Sequence, residues 1–270
     1  MSSTGRLLAL SEFDGATNMS VDEAIVTAVA HSTAPPTLRF YAWSRPTLSL
    51  GYFQPISGAS GWSDAPVDIV RRSTGGGAIM HHHELTYSLS LPLTDTGPGG
   101  RESVYRIVHQ CVVDALKDVG VSASSYRDAV VSSTTRGVRS SLPPTSPTGL
   151  RTIAKTPAEA FLCFQRRTDE DLICGGYKVL GSAQRRVHGG VLQHGSLLLR
   201  VSPHADVLPG IVDLAAIDID PSEFSQKLAT QISEAMSIKW QDGELYDAEL
   251  ADSNRIRAER YTFFGWTHRR

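Results

Sequence analysis

Residues 67–93 read VDIVRRSTGGGAIMHHHELTYSLSLPL, and this stretch decides the fold class. VDIVRR has the β-branched content of a strand, STGGG interrupts it, and AIMHH and ELTYSLSLPL follow as a hairpin pattern. Working outward, TLRFYAWSRPTLSLGYFQ (37–54) reads as two strands broken at Arg45-Pro46. Before it, NMSVDEAIVTAVAHS (18–32) has helical spacing in Val21, Ile25 and Val29, with Ser20 and Glu23 spaced as a capping box. On the other side, ESVYRIVHQCVVDALKDVG (102–120) places Val104, Ile107, Val108, Val112, Leu116 and Val119 on one helical face. Cys111 lies beside that face and reads as core. The stretches AFLCFQRR, DLICGG, YKVLGSAQRR and GGVLQHGSLLLRV predict a strand around Cys163 and then a short antiparallel meander. The tail from Pro221 is helical again, in SEFSQKLATQISEAMSIKW and ELYDAELADSNRIRAERY. Residues 122–157, rich in Ser, Thr, Pro and Gly, predict a long loop rather than an element. Strands joined by hairpins in the middle, with helices on either side, indicate an α+β domain and not a βαβ series. The expectation is one domain over 1–270 with a loop insertion near 122–157.

Composition narrows the function. Hydrophobic residues make up 41% and charged residues 20% of the 270, the ordinary range for a globular enzyme or binding domain. Twenty-six basic residues against 28 acidic ones leave no basic excess for coating nucleic acid. No run approaches the roughly 18 apolar residues of a membrane span, and LLAL near the start is too short for a secretory signal. Three cysteines, Cys111, Cys163 and Cys174, without a CxxC spacing, argue against disulfides and structural zinc and fit a reducing, cytoplasmic compartment.

Two glycine-rich stretches can carry chemistry. Arg71-Arg72-Ser73-Thr74-Gly75-Gly76-Gly77 follows a strand, and its glycines allow a ligand close to the backbone. It matches neither a P-loop nor a dinucleotide fingerprint. Adjacent residues of a strand face opposite ways, so His81, His82 and His83 cannot all reach one ion. His81 and His83 could, but no further ligand is evident; no metal site is expected, and a hydrogen-bonding role suits one of the three. The second stretch, KVLGSAQRR (178–186), puts Lys178 among small residues that leave room for a ligand beside its ammonium. Lysine there can polarise an acyl carbonyl or, if desolvated, exchange protons. Cys163 stands in an apolar segment and alone reads as core. A nearby ammonium would make it a nucleophile, and Cys174 is the weaker alternative.

Taken together, NMSVDEAI, SLGYFQ, RRSTGGGAIMHHHELTYS, KVLGSAQRR and GVLQHGSLLLR resemble the lipoate/octanoate protein ligase and transferase family over most of the chain. The resemblance implies the biotin/lipoyl ligase catalytic core: a mixed, largely antiparallel central sheet flanked by helices, with a tunnel for a medium-chain acyl group. It implies substrate contacts from Arg72, Gly75, Gly76, Gly77, His81, Gly181, Ser182, Ala183, Gln184 and His194, and a family lysine at Lys178. One transferase branch carries its nucleophile in a Cys-Phe pair upstream of the lysine motif, where Cys163-Phe164 stands, and LQHGS is similar to that branch. The reaction so implied is octanoyl transfer from acyl carrier protein, through a Cys163 thioester, to a lysine of a lipoyl domain or the glycine cleavage H protein, with no cofactor. Lys178 would orient the carbonyl, support the thiolate and help deprotonate the incoming amine, with backbone N–H groups near Gly181 and Ser182 facing the oxyanion. Gly77 is shared with the ATP-dependent ligases, where that branch often has arginine. It motivates the alternative of an acyl-adenylate ligase using ATP and Mg. A non-catalytic lipoyl-protein-binding regulator is the reading from another class.

Overall fold

The computed structural model describes residues 3–96, 100–135 and 161–270. In chain order its elements are β1 (Ser3–Phe13), α1 (Gly15–Ala30), β2 (Thr37–Trp43), β3 (Thr47–Leu50), β4 (Asp68–Arg71), β5 (Ile79–His81) and β6 (Glu84–Pro92). Then come α2 (Gly100–Asp118), β7 (Ser124–Ser125), α3 (Tyr126–Thr135), β8 (Leu172–Cys174), β9 (Tyr177–Val187) and β10 (Gly190–Leu198). The last are α4 (Ile211–Ala215), α5 (Pro221–Met236), β11 (Ile238–Asp242), α6 (Asp247–Ile256) and α7 (Phe264–Thr267).

Among the described residues the strands form a large sheet in the order β11-β1-β2-β6-β10-β9-β8-β7 and a small one in the order β4-β3-β5. β11, β1 and β2 run parallel, and every pairing from β2 to β7 is antiparallel. This is the mixed, largely antiparallel sheet flanked by helices that the sequence predicts, and the meander β8-β9-β10 stands where expected.

Alternation along β2 and β6 sets the layers. Leu38, Phe40, Leu85, Tyr87, Leu89 and Leu91 share one core with Val108, Val112 and Leu116 of α2 and Phe224, Leu228 and Ile232 of α5. The opposite face is polar but also buried: Arg39, Glu84, Thr86, Ser88 and Ser90 lie beneath α1 or at the site. There Asp22 of α1 accepts from Arg39 Nη1 at 2.8 Å, Tyr41 Oη at 2.9 Å and Ser88 Oγ at 2.8 Å. Burying that many polar groups is tolerable only because they are bonded to one another.

Five local expectations are corrected. α1 begins at Gly15 with Asp14 as N-cap, its side chain accepting from Thr17 N–H at 2.7 Å. Ser20 and Glu23 are therefore interior, and Glu23 instead accepts from Tyr261 Oη at 2.8 Å and binds Arg260. β5 and β6 do not form a hairpin, because β5 pairs with β3 in the small sheet and β6 with β2 and β10 in the large one. Cys163 is on a 3-10 turn, Cys163–Gln165, not in a strand; only Leu162 bridges, to Ala78. The start of the 122–157 segment is structured as β7 and α3, with Tyr126 N–H donating to Asp171 O at 2.8 Å; residues 136–157 lie outside the described residues. The strand β1 was not anticipated, and its parallel partner β11 replaces the helix expected to run on through residues 238–240.

Candidate active site

The glycine stretch and the Cys163 turn are held together by backbone. Cys163 N–H donates to Ala78 O at 2.6 Å and Ala78 N–H to Phe161 O at 3.1 Å. Gly77 allows this approach: a Cβ there would stand 3.0 Å from both N and Cα of Cys163. The same loop is braced from beneath by Arg72, which is buried. Its Nε donates to Thr74 Oγ1 (3.1 Å), its Nη1 to Ser49 O (3.0 Å) and Oγ (3.2 Å), and its Nη2 to Gly75 O (2.8 Å) and Gly77 O (2.7 Å). All five guanidinium N–H groups thus have acceptors within the chain, so Arg72 shapes the loop rather than reaching out for an anion. Burial lowers its pKa to about 10, with the charge at Cys163 opposing the shift.

Lys178 reaches the Cys163 turn from β9. Its Nζ lies 3.6 Å from Cys163 Sγ and 3.4 Å from Cys163 O, and 5.3 Å from the Phe164 ring centroid. The side chain passes over Gly181, where a Cβ would meet Cε at 2.7 Å and Nζ at 2.9 Å. The two residues paired in the sequence thus lie side by side, and Gly181 makes room for the lysine as well as lining the cavity.

Sulfur and ammonium meet beside a narrow, mostly apolar cavity that opens to solvent. Its lining combines Met19, Tyr41, Trp43 and Ile79 with Arg72, Gly75, Gly76, His81, Cys163, Gly181, Ser182, Ala183 and His194. Gly77 and Lys178 are not among them, nor is Gln184. It faces a neighbouring cleft and donates to Gln193 Oε1 at 2.6 Å. Cys163 is half-buried and lines the cavity, whereas Cys174 and Cys111 are buried. Burial raises the thiol pKa of Cys174, and with help from Asp114 pushes that of Cys111 up to about 12. Cys111 is core, as read; Cys174 is a poor nucleophile by the same physics.

The polar wall of the cavity is oriented by hydrogen bonds. His81 stacks on Trp43 with ring centroids 3.7 Å apart, contacts Glu84 through Nδ1 and lies 2.7 Å from Ser49 Oγ through Nε2. Burial lowers its pKa against the pull of Glu84. Ser49 already accepts from Arg72, so its proton is free for His81 Nε2. His194 Nε2 is 2.8 Å from Thr74 Oγ1, and its Nδ1 faces Asp22 at 3.7 Å. Burial alone would raise the Asp22 pKa, but Arg39 and His194 hold it below the usual carboxylate value.

Ser182 departs from expectation. Its N–H donates to Tyr105 Oη at 3.2 Å, so it is not available to an oxyanion. Its hydroxyl lies 2.7 Å from His109 Nε2 and 2.8 Å from Tyr87 Oη. His109 Nδ1 is 2.6 Å from Glu170 O, an acceptor only, which makes Nδ1 the donor and leaves Nε2 to accept from Ser182. Burial lowers the His109 pKa to about 4, so it is neutral in this role. His109, Tyr105 and Asp171, which pairs with Lys178, were missed in the sequence. His109 and Tyr105 sit four apart on α2, but nothing in the helical pattern distinguishes them from an ordinary polar flank.

Residues 14–248 match the lipoyl protein ligase A/B catalytic domain. The chain belongs to that family. Octanoyltransferase LipM of Kyrpidia tusciae is 30% identical over 292 residues, spanning 99% of both chains. Octanoyltransferase LipM of Symbiobacterium thermophilum is 37% identical over 209 residues, covering 74% of this chain and 67% of its own. In three dimensions a lipoate-protein ligase A bound with ATP superposes with a TM-score of 0.71 at 20% identity, over 98% of both chains. The bipartite lipoate protein ligase of Thermoplasma acidophilum superposes with a TM-score of 0.69 at 20% identity, over 98% of this chain and 96% of that one. These similarities establish the shared catalytic-core fold. An acyltransferase of this family acts on a reactive acyl group, and the cavity described above is lined by Cys163. Among the described residues no helix is long and apolar enough to cross a membrane.

Proposed function

We propose that this chain is an octanoyltransferase of lipoate biosynthesis that works through a thioester on Cys163. The observation that carries the reading is Lys178 Nζ lying 3.6 Å from Cys163 Sγ at the wall of an apolar cavity. Octanoyl transfer is the activity named for relatives that align with nearly the whole chain. The donor is octanoyl-acyl carrier protein and the acceptor a lysine of a lipoyl domain or glycine cleavage H protein, with the enzyme acting in the cytoplasm without a cofactor.

In the first half-reaction the Cys163 thiolate adds to the donor thioester carbonyl. The donor C–S bond breaks, and the carrier leaves as a thiol with the proton that Cys163 gave up. In the second, the neutral amine of the acceptor lysine adds to the same carbon. The bond to Cys163 breaks, an amide forms, and the proton lost by the amine returns to sulfur. Lys178 supplies the positive charge for both the thiolate and the developing oxyanion, in a site partly closed to water. With the Ser182 N–H engaged by Tyr105, the ammonium takes over the role first assigned to that amide. Chain length is read by burial in the cavity, worth roughly 0.8 kcal/mol per CH₂, which selects between chains differing by several carbons more sharply than by one.

Incubation of the purified chain with octanoyl-acyl carrier protein alone is expected to add one octanoyl group by intact mass. Cys163→Ala should abolish the addition and Cys174→Ala should retain it. An unlabelled wild type, or equal labelling of Cys163→Ala, would contradict the thioester. Transfer only from free octanoate with ATP and Mg would select the adenylating ligase instead.

A further inference from the structure

Lys178 has a second anionic neighbour. The carboxylate of Asp171 lies 2.9 Å from Nζ, and each side chain is 3% exposed. The carboxylate is pinned: Asp171 Oδ2 accepts the Thr168 N–H at 2.6 Å, and Asp171 N–H donates back to Thr168 O at 3.0 Å. Its carbonyl is tied to the start of α3 by the Tyr126 N–H. The anion thus sits on a closed four-residue turn, with little freedom to follow a wandering lysine.

We propose that Asp171 is a positioning residue completing a Cys163–Lys178–Asp171 chain, in which the carboxylate holds the ammonium against the sulfur. This deepens, and rests on, the reading of Cys163 as nucleophile. A lysine has four rotatable side-chain bonds, and burying its charge without a counter-ion is costly. Asp171 resolves both problems while Cys163 is a thiol. When the thiol ionises, one ammonium is shared between two anions, so Asp171 fixes the geometry while opposing the second negative charge. Three of the titratable neighbours do not change charge near neutrality, and His81 and His194 line the same cavity as Cys163. His109, near Lys178, is held neutral by burial. Tyr105, near Asp171 and Cys163, is kept un-ionised by burial and by Asp171, and Arg72 stays a cation well past neutrality. The Phe164 ring beside Lys178 carries no titratable group.

The test is the pH dependence of Cys163 alkylation by iodoacetamide in the full chain, read by intact mass, alongside octanoylation by octanoyl-acyl carrier protein. Asp171→Asn removes an anion, so its alkylation midpoint should fall by about one pH unit. Its octanoylation should slow by roughly 10–100-fold as the ammonium loses its orientation. In a Lys178→Met background the same substitution should move the midpoint by clearly less, because no shared ammonium remains to be released. Asp171→Glu should keep the midpoint within a few tenths of a pH unit of the wild type and recover part of the rate. An Asp171→Asn midpoint that is unchanged or raised, as loss of packing alone would give, overturns the proposal. So does a shift of the same size without Lys178. If Asp171→Asn does not fold, Asp171→Glu decides: an unmoved midpoint with slowed octanoylation supports the chain, and a wild-type rate overturns it. Absence of octanoyl labelling in the wild type would refute the thioester, whereas the alkylation curve still decides the role of Asp171.

Discussion

A single methyl group at residue 181 would lie 2.7 Å from Cε and 2.9 Å from Nζ of Lys178. Neither atom can retreat freely, because Asp171 holds the ammonium on one side and the Cys163 turn on the other. Gly181→Ala is therefore expected to displace the ammonium and slow octanoylation by roughly 10²-fold, as misplacement of about an ångström does elsewhere. Because the methyl meets the buried Lys178–Asp171 pair, the melting temperature should fall somewhat while circular dichroism keeps the native spectrum. Wild-type octanoylation of Gly181→Ala would show that the lysine's position is not critical. Gly77 has the corresponding part on the sulfur side, with a Cβ 3.0 Å from the Cys163 backbone. Both glycines were legible as places where something approaches the chain closely. What approaches was not: at 181 it is the lysine itself and at 77 the backbone of a turn 86 positions further on.

At the scale of elements, α2 is bolted to β9 through polar contacts inside an otherwise apolar interface. His109 is the centre, neutral between Glu170 O and Ser182 Oγ, with its pKa pushed down to about 4 by burial. The unfolded chain binds a proton at His109 below about pH 6.5 and the folded chain does not, so this group subtracts stability as pH falls from about 6.5 toward 4. The loss amounts to at most about 3 kcal/mol across that window. His109→Gln, which cannot titrate, is expected to flatten the decline between those pH values in urea unfolding. A slope as steep as the wild type would place the titration elsewhere. The elements themselves were readable where one face is apolar, as in α2 and α5. The reading failed where polar residues are buried: Ser20 and Glu23 have the spacing of a cap but lie inside α1, bonded to the C-terminal part of the chain. The β5–β6 hairpin failed for a different reason. His81, His82, His83 and Glu84 form a corner between two sheets, and periodicity does not say which neighbour a strand chooses.

For the whole molecule, the sheet carries the site at its middle while the two ends of the chain lock its edge and its rim. Arg6 of β1 binds Glu249 of α6 through two hydrogen bonds of 2.6 and 2.7 Å, with both side chains buried. Arg71 links the loop after β3 to α7, donating to Gly51 O, Gln54 O and Thr267 O. That loop in turn reaches the Cys163 turn, since Gln54 Nε2 donates to Phe161 O at 3.2 Å. The fold class was legible because hairpin-like strands and flanking helices leave a strong pattern, whereas these long-range polar ties leave none in local sequence. The consequence for function is a preformed sulfur–ammonium pair beside a cavity, on which the proposed thioester route rests. The most direct measurement starts from octanoyl-enzyme, isolated free of donor, and mixes it with a lipoyl domain in the absence of ATP. The label is expected to pass to the domain's lysine as the enzyme returns to its unmodified mass. A label that stays on Cys163 or is lost only to water, while free octanoate with ATP and Mg modifies the domain, would contradict the account.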